Sequence, residues 1–424
     1  MKHDTFLPHS AALLLLLFSV SATLVDSMGI NYGQIGNNLP KPEDAVPLIK
    51  ALGATKVKLY DASAPVLRAF AHTGVEFVVG LGNEYLAKMR DPDNARTWVK
   101  SNVQTYLPAT NITCITVGNE VLTMTDESYI PHLVPALYSI HAAVVSLNLQ
   151  NQVTVTTPHS LAVLQSSYPP SSGVFRRDLT GCITQILNFH ANTSSPFLIN
   201  AYPYFAYKDS PKQVSLDFVL FQPNQGVVDP GSNLHYDNML FAQIDAVHYA
   251  VAALGFKNMP VHISETGWPS KGDADEAGAT PENAKKYNGN LIKTVCNRKG
   301  TPMKPDMGLN IYVFALFNEN MKPGPTSERN YGLFKPDRTP VYNIGIDLSS
   351  IGSGGSGGGG NKTSPAAGGG SSSSGSPPSA PDNGPSGYLA ISSGTTKVSS
   401  SSLSSLSFTL VGGILLLAAR LLSA

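Results

Sequence analysis

Cysteine is scarce: Cys114, Cys182 and Cys296 are the only three in 424 residues, at spacings that suit neither a zinc site nor a disulfide framework. Two of them could pair in an oxidising compartment, whereas Cys114, inside an apolar run, reads as a buried free thiol. Net charge is lacking as well. The 29 Lys plus Arg balance 29 Asp plus Glu, so no overall field draws in nucleic acid or a polyacidic ligand. No Gly-x-Gly-x-x-Gly turn follows the first strand-like run, and Gly357 to Gly360 neither follows a strand nor opens a helix, which removes the phosphate-cradling readings. The histidines, His159, His190, His235 and His262 among them, lack ligand spacing, so no metal or other cofactor is expected.

What is present begins at the two ends. Lys2 and His3 precede the apolar run Ala11 to Val20, and small Ser21 and Ala22 follow it, the layout of a cleavable secretory signal over residues 1–22, cut after Ala22 or as late as Ser27. That run is too short to span ~30 Å of hydrocarbon, which takes about 20 residues. Phe408 to Leu422 is apolar except for Arg420 and stops two residues from the C-terminus, behind the small residues Ser392, Ser393 and Gly394. The pattern reads as a glycolipid-anchor signal, with Ser392 or Ser393 as attachment candidates and residues 394–424 removed; a short transmembrane helix is the competing reading. Both ends point to the outer face of the plasma membrane, in the wall space. Sequons at Asn111, Asn192 and Asn361 are N-glycosylation candidates. Gly, Ser and Pro dominate 348–393, the composition of a disordered tether.

Residues 28–347 hold eight short runs rich in Val, Ile and aromatics, at Met28 to Tyr32, Lys56 to Tyr60, Glu76 to Leu81, Cys114 to Val117, Val153 to Thr157, Pro196 to Tyr204, Pro260 to Ser264 and Leu309 to Phe317. Each is near-continuously apolar, as a strand covered on both faces should be. Segments with helical spacing, such as Pro42 to Leu52 and Asp93 to Val103, lie between them. Alternation of this kind predicts a parallel sheet, and eight units close most naturally into a single-domain (β/α)8 barrel.

In such a barrel the site forms where strands end. The residues there are Tyr32, then Tyr60 and Asp61, then Asn119 and Glu120, then Tyr202, Tyr204 and Phe205, then Glu265 and Trp268, and last Glu319 and Lys322. Two carboxylates across a cleft are what glycosidic cleavage requires, and aromatic rings give sugars a stacking face. An isolated glutamate at a strand end is more often a salt-bridge partner; its surroundings decide.

Those surroundings carry a resemblance. Gly29-Ile-Asn-Tyr-Gly33, Val117-Gly-Asn-Glu-Val121, Asn200-Ala-Tyr-Pro-Tyr-Phe205, Ser264-Glu-Thr-Gly-Trp-Pro-Ser270, Phe314-Ala-Leu-Phe-Asn-Glu-Asn320 and Asn330-Tyr-Gly-Leu-Phe334 are similar, in order, to plant endo-1,3-β-glucanases of glycoside hydrolase family 17. The resemblance covers Gly29 to about Tyr342, and no cysteine follows Cys296, so a C-terminal cysteine-rich carbohydrate-binding module is not expected. It implies retaining hydrolysis of 1,3-β-glucan, with Glu120 as acid/base and Glu265 as nucleophile; separately, a monomer is expected. It also implies a charged cluster of Glu319, Lys322 and Glu328, sugar contact by Asn119, and a nucleophile held by Tyr202. Tyr32, Tyr202, Tyr204, Phe205 and Trp268 are further candidates for sugar contact. On this basis Glu120 should have a raised pKa, and Glu265 should stay ionised through hydrogen bonds and Lys322. The alternatives are a non-catalytic glucan-binding surface protein and a glucan transglycosylase using the same covalent intermediate.

Overall fold

The computed structural model describes residues 28–297 and 300–343. The expected leader, tether and anchor signal, the sequon at Asn361, and Ser392 and Ser393 lie outside them. The strands of the main sheet are β1 (Met28–Asn31), β2 (Lys56–Lys58), β3 (Glu76–Leu81), β4 (Asn111–Val117), β5 (Thr154–Thr156), β6 (Pro158–Ser160), β7 (Phe197–Asn200), β8 (Val261–Thr266) and β9 (Ile311–Val313). They pair in parallel, in the order β5-β4-β3-β2-β1-β9-β8-β7-β6. The two ends of that order, β5 and β6, are separated in the chain by Thr157 alone. They are one strand whose first half pairs with β4 and whose second half pairs with β7, so the sheet closes as the expected eight-stranded barrel. Pro158 accounts for the handover: it has no N–H to give a ladder, and its carbonyl accepts instead from the Glu120 N–H at 2.9 Å.

The longer helices are α1 (Pro42–Ala51), α2 (Ala64–Ala69), α3 (Pro92–Asn102), α4 (Ile130–Ser146), α5 (Thr180–Thr193), α6 (Pro203–Asp209), α7 (Met239–Ala253) and α8 (Pro281–Cys296). Most starts are written in the sequence as a proline in the first turn, where its missing N–H costs nothing. The Asp91 and Thr280 side chains cap α3 and α8 by accepting from Asn94 N at 2.9 Å and Asn283 N at 3.2 Å.

Strand period explains the two layers of packing. Phe77 and Val79 on β3 join the main core against the helices, while Val78 between them belongs to a separate cluster with Cys114 and Tyr312, on the barrel's inner side. Cys114 is buried there, Cys182 is half-buried and Cys296 exposed, and all three are free thiols. Two elements differ from expectation. The strand expected over Pro196 to Tyr204 stops at Asn200, because Pro203 opens α6 and carries Tyr204 and Phe205 onto a helix. The strand expected over Leu309 to Phe317 narrows to Ile311–Val313, the rest continuing as a rim segment whose Leu316 N–H reaches the Asn31 carbonyl at 2.9 Å.

Candidate active site

Glu120 leaves the end of β4 through a sharp kink. Gly118 has φ +70° and Glu120 itself φ +54°, both in the left-handed region. A Cβ on Gly118 would come within 2.6 Å of Val121 and 2.9 Å of Asn83, so glycine is required there. Holding a glutamate in that region costs on the order of 1–3 kcal/mol and persists where neighbours over-determine it. Asn83 is one such neighbour: its Oδ1 accepts from Asn119 N at 2.7 Å, and its Nδ2 donates to the Asn119 carbonyl at 3.0 Å. The Asn119 side-chain oxygen is buried and has no protein partner among the described residues.

Glu265 is placed by an irregularity in β8. The register shifts between Ile263 and Glu265 against β7, and between Ile263 and Thr266 against β9, a bulge that re-aims the side chain after it. Glu265 is buried, and its two oxygens have unlike partners. Oε1 accepts from the Lys58 ammonium at 2.8 Å and Oε2 from the Tyr202 hydroxyl at 2.9 Å. Lys58 is itself buried, with its Nζ 4.2 Å from the centre of the Tyr60 ring. Burial, and then the Glu265 charge, push the phenols of Tyr60 and Tyr202 well above the usual tyrosine range, so both stay protonated.

Glu120 has no such cation. Its Oε1 accepts from Asn200 Nδ2 at 2.8 Å, and Asn200 Oδ1 in turn accepts from Ser264 Oγ at 2.6 Å. Burial, followed by the charge of Glu265, raises the Glu120 pKa to about 7, against the lowering effect of the Asn200 donor and of Lys58. One carboxyl therefore holds a proton near neutrality while its neighbour sits against an ammonium.

The third charged group is the expected cluster. Lys322 Nζ lies 3.5 Å from Glu328 Oε2 and 4.3 Å from the centre of the Phe314 ring. Glu319 Oε1 accepts from the Ile35 N–H at 2.7 Å, and a Cβ on Gly33 would strike that same carboxylate at 2.3 Å, which accounts for the glycine after Tyr32. Burial raises the Glu319 pKa, with Lys322 opposing it. Lys322 is thus bonded to Glu328; the cation expected beside Glu265 is Lys58 instead, because β2 points Lys58 into the barrel and the loop after β9 carries Lys322 to the side.

Three of the expected sugar-contacting aromatics are packed beneath the rim. Trp268 is 0% exposed, its indole N–H donates to the Gly278 carbonyl at 2.8 Å, and its ring meets Tyr204 and Tyr287 at 5.2 and 5.6 Å. Tyr204 is fully buried on α6, and Tyr32 is buried with its edge against Phe317 at 5.8 Å. None of the three has a face to offer a sugar. Phe205 is half-buried, 5.4 Å from Tyr202, with the Lys208 ammonium 5.5 Å from its ring centre. Of the sequons, Asn192 is exposed at the end of α5, while Asn111 opens β4 and is half-buried.

Sequence reasoning missed Lys58, Asn83 and Asn200. Lys58 had a signal: a second lysine, two after Lys56, in a strand otherwise read as covered on both faces needs a buried counter-charge. Asn200 stood in a quoted motif, but its role depends on β7 lying beside β8, which spacing does not reveal.

Two carboxylates in unlike environments at the C-terminal rim of a (β/α)8 barrel are the apparatus of glycosidic cleavage, and the chain is a glycoside hydrolase. It belongs to the glycosyl hydrolases family 17, whose family model matches residues 28–346. It is 61% identical over 388 residues to glucan endo-1,3-beta-glucosidase 11 of Arabidopsis thaliana, covering 89% of this chain and 91% of that one. To glucan endo-1,3-beta-glucosidase 10 of the same plant it is 62% identical over 344 residues, covering 80% and 81%. Among solved structures, a beta-1,3-glucanase and allergen of Cryptomeria japonica pollen superposes with a TM-score of 0.73 at 44% identity, over 76% of this chain and 100% of that one.

Proposed function

We propose that this glycoside hydrolase cleaves internal 1,3-β-glucosidic bonds of a callose-type glucan with retention of configuration. Glu120 protonates the departing glycosidic oxygen while Glu265 attacks the anomeric carbon, giving a covalent glycosyl-enzyme and a shortened chain. Water then attacks that carbon, Glu120 takes its proton, and the Glu265 carboxylate leaves. The linkage rests on the names of the relatives. The observation that carries the division of labour is the contrast between Glu120, raised and cation-free, and Glu265, bonded to Lys58 and Tyr202. Asn119, with its unpartnered side-chain oxygen, is suited to a sugar hydroxyl, and Phe205 to a sugar face. Glu319, Lys322 and Glu328 are suited to neighbouring hydroxyls.

The test is hydrolysis of a linear 1,3-β-glucan by the purified enzyme, beside a mixed-linkage 1,3;1,4-β-glucan and a 1,4-β-glucan, with products sized. New reducing ends from the first polymer, falling rapidly in chain length, are expected; a folded protein that releases none overturns the reading, and longer products would mark a transglycosylase. The anchor at Ser392 or Ser393 and the outer plasma-membrane location are part of the same proposal, supported by the signals at the chain ends. Release of activity from intact cells by a phosphatidylinositol-specific phospholipase is expected; activity that stays with the membrane would contradict an anchor.

A further inference from the structure

The amide of Asn200 stands between the two strands that carry the chemistry. Asn200 and Ser264 are 2% and 0% exposed, on neighbouring strands β7 and β8. An asparagine amide can be turned over with almost no change of outline, so its orientation is set by which neighbour must donate. With Oδ1 toward Ser264, the hydroxyl donates to it and Nδ2 donates to Glu120 Oε1. Turned over, Oδ1 could accept a proton from Glu120, but Nδ2 would then point at Ser264 Oγ. The Ser264 hydrogen would be left buried, because Asn200 Oδ1 is the acceptor it reaches among the described residues. A buried donor without an acceptor is costly, so the first orientation holds.

We propose that Asn200, locked by Ser264, is a positioning residue that keeps Glu120 Oε1 a permanent acceptor and confines the acid proton to Oε2. The inference rests on the acid/base role given to Glu120 above. An oxygen that already receives an N–H cannot also present a proton along that line, and Oε2 has no protein partner among the described residues. In the first step the Oε2 proton passes to the glycosidic oxygen as the C–O bond breaks. In the second, Oε2 recovers a proton from the attacking water. Throughout, the Asn200 N–H holds Oε1 and binds the ionised carboxylate more strongly than the acid, opposing the effect of burial on the proton.

The experiment compares the wild type with Asn200→Ala, Asn200→Asp and Ser264→Ala on 1,3-β-glucan and on a dinitrophenyl β-laminaribioside, whose leaving group needs no proton. For Asn200→Ala the alkaline limb of kcat/KM should move up by about one pH unit, since a donor to the carboxylate is lost. Glucan cleavage should fall about tenfold to hundredfold, with a much smaller loss on the activated substrate. Asn200→Asp, which keeps the outline and serves if the alanine variant does not fold, should raise the limb further by adding a negative neighbour. Ser264→Ala, which leaves the amide able to turn, should show the same selective loss to a smaller degree. Equal losses on both substrates with an unmoved limb would mark a merely structural asparagine and overturn the inference. The infrared carboxyl stretch of Glu120, assigned by its loss in Glu120→Gln, provides a readout without turnover: it should titrate at higher pH in Asn200→Ala. A wild type without turnover would sink the hydrolase reading, and an unmoved stretch would sink this one.

Discussion

Glu120 follows β4 and Glu265 lies on β8, two non-neighbouring strands of one barrel; they are the same residue type, yet their hydrogen-bond partners differ. Glu265 has a buried ammonium at 2.8 Å and a phenol at 2.9 Å; Glu120 has one amide at 2.8 Å, a left-handed backbone and a pKa raised to about 7. One carboxyl is bonded to a buried cation. A single neutral donor, set against burial and a negative neighbour, leaves the other able to gain and lose a proton. On the roles proposed above, the division of labour is made by neighbours on β2 and β7, not by the glutamates.

The comparison breaks hardest at Lys58. Lys58→Met leaves a buried carboxylate without its counter-charge and its donor at 2.8 Å, so Glu265 should lose its positioning and its activity as a nucleophile. Activity on polymer and activated glycoside alike should fall about 10³-fold, read as kcat/KM; a loss confined to the polymer would place Lys58 with the acid instead. Glu120→Gln should fall about 10²-fold or more on polymer and far less on an activated aryl glycoside. It should also change stability, with a sign fixed by the raised pKa. Unfolded, Glu120 titrates near 4.5, and folded near 7, so the folded state holds the proton more tightly. That contribution is complete below pH 4.5 and lost as the pH rises to 7. The wild type should therefore lose on the order of 2 kcal/mol relative to Glu120→Gln across that window in urea melts at stepped pH, allowing for partial exposure of the side chain.

Smaller changes sharpen the contrast. Tyr202→Phe removes one neutral donor from Glu265 and leaves Lys58 in place, so a loss of about tenfold in kcat is expected, with the alkaline limb unchanged. Trp268→Phe should alter kcat and KM little, because the indole lies beneath the rim, while thermal melting should show a loss of about 1–3 kcal/mol from the missing Gly278 bond and the smaller ring. A large rise in KM there would return Trp268 to the sugar face.

The barrel was legible because its strands are covered on both faces and so read as unbroken apolar runs between helices. Even the split at Thr157 had a mark, in Pro158. Motif context made the two glutamates legible, since a glutamate alone at a strand end means little. Direction was harder. Tyr204 looked like a strand-end aromatic until Pro203 started α6, and Trp268 follows Glu265 closely in sequence, but the chain there turns its ring inward. Partners across the barrel were illegible: Lys58 and Glu265 are 207 positions apart, and their pairing exists only once β1, β9 and β8 close the sheet between them.

The most direct test of the division of labour is to trap the covalent intermediate with a 2-deoxy-2-fluoro laminaribiosyl fluoride and locate it by peptide mass spectrometry. The adduct is expected on Glu265, in the peptide containing Ser264-Glu-Thr-Gly-Trp268, and at unchanged identity in Glu120→Gln. An adduct on Glu120, or steady turnover with no adduct on either glutamate, would contradict the account.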